Sequence, residues 1–253
     1  MFEVAPHLAA ILIATGFLAG FVDSIAGGGG LLSVPALLLC GASPLQALAT
    51  NKVQGMVGSG TALVNYALAG QVRPREQLPM AVVSLAFGAG GSLLAGSLPA
   101  DLLRLIMPPI LIAIALFFAF RPGLTDHPRA PRMTALVFGL TMVPLIAGYD
   151  GFFGPGTGSF FMLALVLLLG HGVLKATAQT KMLNFASNIG SVAVFAFSGA
   201  TWWWIGGAMA LAQIAGATLG SRLAVKVGAR LIKPLLVLTS TGMALRLLYQ
   251  TWG

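Results

Sequence analysis

Apolar stretches punctuated by proline, glycine and short charged runs extend from one end of the chain to the other. They fall at residues 8–22, 30–40, 49–69, 78–97 and 102–120, and again at 133–149, 158–170, 181–198, 202–224 and 231–248. A helix needs about 20 mostly apolar residues to cross a bilayer, and most of these segments approach that length. The pattern predicts an all-α polytopic membrane protein. Its longest hydrophilic interval, RPGLTDHPRAPR at 121–132, separates two sets of five segments. The expected organisation is therefore an N-terminal membrane unit at 1–120, a polar linker loop at 121–132 and a C-terminal membrane unit at 133–253.

The two units overlay. An offset of 129 residues pairs Gly41 with Gly170, Ala47 with Ala176, Lys52 with Lys181, Gly70 with Gly199 and Gly91 with Gly220. A two-residue slip in a glycine loop also brings Asp23 opposite Asp150. Shared Leu, Ala and Gly mean little in an apolar chain, but shared charges mean more where only 8% of residues are charged. Internal duplication of this kind is common among transporters.

Charge then orients the halves. If the segments alternate across the bilayer, Arg73, Arg75, Arg121, Arg129, Arg132, Lys175, Lys226 and Arg230 share one side, and Arg104 and Arg246 lie on the other. The basic side is expected to face the cytoplasm, with both termini outside. Matched loops exchange their charge: QVRPREQ becomes GATWWW, and SLPAD becomes KVGAR. The fold expected is two inverted-topology repeats. The second segment of each half is too short for a full crossing. Residues 30–40 would reach about 16 Å as a helix, half of a ~30 Å hydrocarbon core. Glycine-rich broken or re-entrant helices are the expected form, with the glycine tip at membrane depth.

Composition agrees with a single membrane unit: 57% of residues are hydrophobic, against a soluble-domain norm of about 25% charged that this chain does not approach. The net charge of +8 is scattered between apolar runs, which points to membrane orientation and an anionic substrate and not to nucleic acid. Cys40, the single cysteine, excludes an internal disulfide and reads as a small core residue. The first apolar segment lacks a basic leader and a small-residue cleavage pattern, so it is expected to be retained.

Chemistry concentrates in two loops. DSIAGGGGLLS at 23–33 and DGFFGPGTGS at 150–159 each place an acidic residue and several glycines ahead of an apolar helix. Glycines let backbone N–H groups converge, and a helix N-terminus carries positive partial charge, so the pair suits an anion. No GKS or GKT follows, which excludes a phosphate loop. The candidate substrate-binding residues are Gly27, Gly28, Gly29, Gly30 and Ser33 in the first loop, and Gly154, Gly156, Thr157, Gly158 and Ser159 in the second. The competing reading is that the glycines serve tight helix packing. Beyond each loop lies a polar patch: Thr50, Asn51, Lys52 and Gln54 in the first half, and Gln179, Thr180, Lys181 and Asn184 in the second. A charge at a helix centre costs about 2.5–3.5 kcal/mol on insertion scales, so two lysines in register ask for a reason. They either converge on one anion cavity or snorkel separately to the headgroups. Asp23 and Asp150 hold a coupling proton, pair with those lysines, or cap a helix and accept glycine-loop N–H bonds. The run Trp202, Trp203 and Trp204 reads as an interfacial belt, and His7, His127 and His171 show no ligand spacing.

The stretch DSIAGGGGLLSVPALLLCGASPLQALATNKVQG, with its echo GYDGFFGPGTGSFF and KATAQTKMLNFASNIG, resembles the sulfite exporter TauE/SafE family of bacterial membrane permeases. The similarity covers essentially the whole chain. It implies a multi-pass permease of the bacterial inner membrane for a small anion, in a family implicated in moving sulfite, sulfoacetate and related organosulfonates. No cofactor is implied, and the coupling ion, proton or sodium, is open. Pro155 stands where the first loop has Gly28, a departure from equal roles for the two loops. An anion channel or a membrane enzyme are the alternatives; for the latter no HExxH, no rhomboid-like GxSG with a helical His and no carboxylate cluster is present.

Overall fold

The computed structural model describes residues 3–119 and 128–228. The expected tenth segment at 231–248, and most of the expected linker, lie outside the described residues. Nine helices are described: α1 (Pro6–Ala26), α2 (Gly29–Leu39), α3 (Pro44–Leu68), α4 (Pro74–Ser97), α5 (Ala100–Ala119), α6 (Ala135–Phe152), α7 (Thr157–Leu168), α8 (Val173–Phe195) and α9 (Trp203–Val227). Among the described residues, α1, α4, α6 and α9 are long and apolar enough to cross a membrane, and α2 and α7 are shorter apolar helices. Three helix termini carry local chemistry that fixes them. Ser43 and Gln46 form a capping box at the start of α3, with Pro44 in its first turn. Thr134 caps α6 through the Val137 N–H at 3.3 Å. Gly27, at φ +81°, ends α1 in the left-handed region that a side chain rarely adopts.

The expected boundaries that move furthest are two helix starts. The third segment, expected from 49, begins at Pro44, and the eighth, expected from 181, begins at Val173. Lys52 and Lys181 therefore sit more than two turns inside their helices, and neither is at a helix end. They are 1% and 0% exposed, which removes the snorkelling reading.

The helices pack through small residues. Along α1 and α9, Gly16 lies against Met209, Gly20 against Gln213 and Gly220 against Phe21, so the two helices run parallel. Along α4 and α6, Met80 lies near Gly139 and Gly91 against Gly148, again in parallel. At Gly91, Gly151 and Gly216 an added Cβ would overlap a backbone carbonyl oxygen of the neighbouring helix, of Gly148, Gly88 and Phe17 respectively. Such close approach is how membrane helices associate where no water drives burial.

Two hairpins complete the interior. The Arg132 N–H donates to the Leu168 carbonyl at 2.8 Å and the Arg129 N–H to the Gly170 carbonyl at 2.8 Å, so α7 returns to the level where α6 began. In the first half α2 folds back on α1, with Gly29 against Asp23 and Ala19. α2 spans about 16 Å at 1.5 Å per residue, short of a crossing. Cys40 lies half-buried where α2 ends, packed at the edge of the core and not within it.

Candidate functional site

The tips of the two hairpins touch. A Cβ on Gly27 would overlap the backbone of Gly158 and Ser159, and one on Gly158 would come 2.7 Å from the Gly27 Cα. Only hydrogen at these positions allows the chains to meet backbone to backbone. Pro155 rests on Gly30, its Cα 3.1 Å from where a Cβ would be, so it packs against the partner loop. Ser159 donates to the Ala26 carbonyl at 2.7 Å, pinning the start of α7 to the end of α1.

Around this contact the lysines and aspartates are crossed. The Lys52 ammonium of α3 donates to the Asp150 carboxylate of α6 at 2.8 Å and to the Asp150 carbonyl. The Lys181 ammonium of α8 donates to the Asp23 carboxylate of α1 at 3.0 Å and to the Asp23 carbonyl. Each half supplies the cation for the other half's anion. The two carboxylates are not equally held. The Asp150 side chain is 5% exposed and also accepts from the Ser187 hydroxyl. The Asp23 side chain is 19% exposed, and its further partner, the Gly29 N–H, is at 3.4 Å.

Between the loops lies a small cavity of about 30 Å³. From the sequence-derived candidates it is lined by Gly27, Gly29, Gly30, Gly154, Gly156, Thr157 and Gly158, with Asn51, Asn184 and both aspartates. Such a volume holds a water or two and nothing larger. At the starts of α2 and α7, which border this space, the Gly29 N–H donates to the Asp23 carboxylate at 3.4 Å and the Leu31 and Thr157 N–H groups to the Gly28 and Gly154 carbonyls at 3.0 and 3.1 Å. The Asn184 Oδ1 is buried without a partner.

Other candidates lie behind this surface or elsewhere. The Ser33 hydroxyl donates to Asn51 Oδ1 at 2.5 Å, with the Gly29 carbonyl 3.1 Å away as the alternative acceptor, bracing α2 on α3. Gln54 donates to the same Asn51 oxygen at 3.3 Å and accepts from Gln213 of α9 at 2.9 Å. Thr50 accepts from the Trp202 N–H at 3.1 Å, holding the start of α9. Thr180 is buried with its hydroxyl unpartnered. Gln179 does not reach the central cavity and lines a second one. Gly28 caps α2 without lining the cavity.

The residues missed by sequence reasoning are Gly55, Ser59, Asn188 and Gln213 of the lining, and Ser187 on Asp150. Asn188 follows Asn184 by four residues and shares its helix face, a readable signal. Gln213 is a lone amide in an apolar helix, which was also readable.

The second cavity, about 750 Å³, opens where the α3–α4 connection, the start of α6 and the α7–α8 connection meet. Arg73, Glu76, His171 and Lys175 border it, with Gln77 and Gln179. The Arg73 charge is taken up by Glu76 at 3.0 Å. Buried side-chain atoms of Gln77, His171 and Gln179 there have no partner. Burial, with Lys175 beside it, lowers the His171 pKa, so this imidazole is neutral near pH 7. At the opposite end the Glu3 carboxylate accepts from the Trp204 and Ile205 N–H groups at 3.0 Å each, capping α9 and tying it to the start of the chain. Trp203 and Trp204 are exposed there.

Apolar helices in parallel pairs around two hairpins and a polar, charge-paired centre define a multi-pass membrane protein. The sulfite exporter TauE/SafE family matches residues 12–247, and the chain belongs to that family. It is 55% identical over 248 residues to the probable membrane transporter protein ORF9 of Sinorhizobium, covering 98% of this chain and 95% of that protein. It is 42% identical over 253 residues to the probable membrane transporter protein YfcA of Escherichia coli K12, covering 100% and 94%. A probable membrane transporter protein of Haemophilus influenzae is 40% identical over 251 residues, covering 99% and 98%. No solved structure matches the chain significantly. Full-length likeness to bacterial proteins named as transporters places this chain among membrane transporters.

Proposed function

We propose that this protein carries a small anion, a sulfur oxyanion or an organosulfonate such as sulfite or sulfoacetate, across the bacterial inner membrane by alternating access between two inverted halves. The reading rests on one observation above the rest: two glycine tips meet backbone to backbone inside a frame of two crossed ion pairs. Helix starts aimed into a shared space offer positive partial charge to an oxyanion. The lining amides of Asn51, Asn184 and Asn188 add donors that do not depend on pH.

Several equivalent contacts support a duplicated, inverted architecture. The offset that relates Lys52 to Lys181 also relates Ser84 to Gln213 and Gln54 to Leu183. Ser84 donates to the Leu183 carbonyl, and Gln213 to Gln54. The parallel pairs α1 with α9 and α4 with α6 exchange under the same relation. On this reading 1–120 and 133–253 are the two repeats, and the hairpins α1–α2 and α6–α7 are re-entrant from opposite faces. The wide cavity beside Arg73 and Lys175 faces the cytoplasm, and Glu3 closes the outer face.

The central cavity is too small for any of these anions as it stands, so loading requires the tips to part. Both lysine charges are already spent on carboxylates. A lysine that contacts the substrate must first release its aspartate.

The test is calorimetric binding of sulfite, sulfate, thiosulfate and alkanesulfonates to purified protein, followed by counterflow in reconstituted vesicles. Saturable binding of at least one of them, with flux stimulated by the same anion on the far side, is expected. Binding by none of them overturns the anion reading. Flux without counterflow identifies a channel and overturns alternating access.

A further inference from the structure

We infer that Asp23 is the site of a co-transported proton, taken up when the anion binds; this rests on the anion-carrier reading above. The argument is one of charge balance. The frame holds two ammonium groups and two carboxylates; among the described residues the Asp23 and Asp150 carboxylates are the charged side chains that line the cavity, and the buried ammonium groups of Lys52 and Lys181 stand behind them. Its net charge is zero. Adding an anion alone would leave one uncompensated negative charge in a buried space, which is unfavourable where water cannot solvate it. Adding an anion together with a proton keeps the frame neutral.

The two carboxylates differ in fitness for that proton. Asp150 is held by the Lys52 ammonium and the Ser187 hydroxyl, and is 5% exposed. Asp23 has Lys181, one long N–H contact and 19% exposure, and it borders the cavity. The groups around it leave no other candidate. From α8 comes Lys181; from α6, across the cavity, Asp150, itself tied to Lys52 of α3. Tyr66 of α3 points its hydroxyl at the Ser24 carbonyl, 2.8 Å away. α9 contributes the neutral Gln213, while its Arg222 is exposed. α2 and α7 carry no ionisable residue.

The step balances simply. The Asp23 carboxylate gains one proton and becomes a neutral acid. Its charge no longer offsets the Lys181 ammonium behind it, and that ammonium, keeping all its own protons, compensates the charge of the incoming anion. By reciprocity the anion raises the proton affinity of Asp23 as much as the proton raises the affinity for the anion.

Binding of thiosulfate or an alkanesulfonate, neither of which takes up a proton near neutral pH, is measured in buffers of different ionisation enthalpy. About one proton should enter per anion bound, and the affinity should fall about tenfold per pH unit where the empty site is ionised. In Asp23→Asn the proton uptake and the pH slope should vanish together. The wild-type proton count stands without the variant, should Asp23→Asn not fold. Anion binding that takes up no proton, or that needs sodium in its place, overturns this inference while leaving the anion carrier standing. Failure of every anion to bind overturns both.

Discussion

A lysine buried among helices is tolerable only while its partner is present. Lys52 is 1% exposed, and its ammonium meets both the carboxylate and the carbonyl of Asp150. Removing the cation alone strands a buried carboxylate, a loss of about 3–5 kcal/mol in comparable pairs. Lys52→Gln should therefore lower the thermal midpoint of the detergent-solubilised protein sharply, and adding Asp150→Asn should recover most of the loss. A double variant no more stable than Lys52→Gln would show that the pair contributes no coupling. Lys181→Gln should cost less, because its partner Asp23 retains some access to water at 19% exposure. The same comparison separates charge from size, since glutamine keeps much of the reach of lysine while losing its charge.

At the scale of helices, stability resides in backbone contact. Gly91 on α4 faces the Gly148 carbonyl of α6, and no side-chain rotamer can yield to an added group there. Ordinary overpacking costs about 1–3 kcal/mol, and Gly91→Leu should exceed that and separate α4 from α6, read as loss of monodisperse protein in size-exclusion chromatography. Gly90, with open space beside it, is the internal control, and Gly90→Ala should be neutral. Much of this layer was legible in the chain. The short second segments and the glycine tips followed from length and composition, and the polar patches marked α3 and α8. The start of α8 was not legible, because KATAQTK carries polar residues where a membrane helix is expected to be apolar, and Gly172 caps Val173 without a side-chain signal. The start of α3 was readable from Ser43 and Gln46 but lay outside the apolar count. That Lys52 meets Asp150 and not Asp23 could not be read from spacing, since the choice depends on how two hairpins cross in space. Thr50 and Gln179 failed as cavity residues for the same reason: a helix face is set by its neighbours, and theirs are the start of α9 and the wide cavity.

For the whole molecule the distribution of charge matters most. α3 and α9 run parallel, Thr50 meeting Trp202 and Asn65 meeting Ser221, so Arg73 after α3 and Lys226 at the end of α9 share one end with Lys175. Under the proposed orientation that end is cytoplasmic. A cysteine at Pro99, in the exposed connection after α4, should react with an impermeant reagent on intact cells, and one at Pro74 only after permeabilisation. The reverse pattern would invert the protein. The crossing of the ion pairs also bears on synthesis. Lys52 precedes Asp150 by 98 residues, so at about 5–20 residues per second the first lysine emerges some 5–20 s ahead of its carboxylate. During that interval the nascent first half holds an unpaired Lys52 and an unpaired Asp23, each owed to a partner not yet made. Until α6 and α8 are made, both groups of the early half need a polar environment that its own final pairings do not supply.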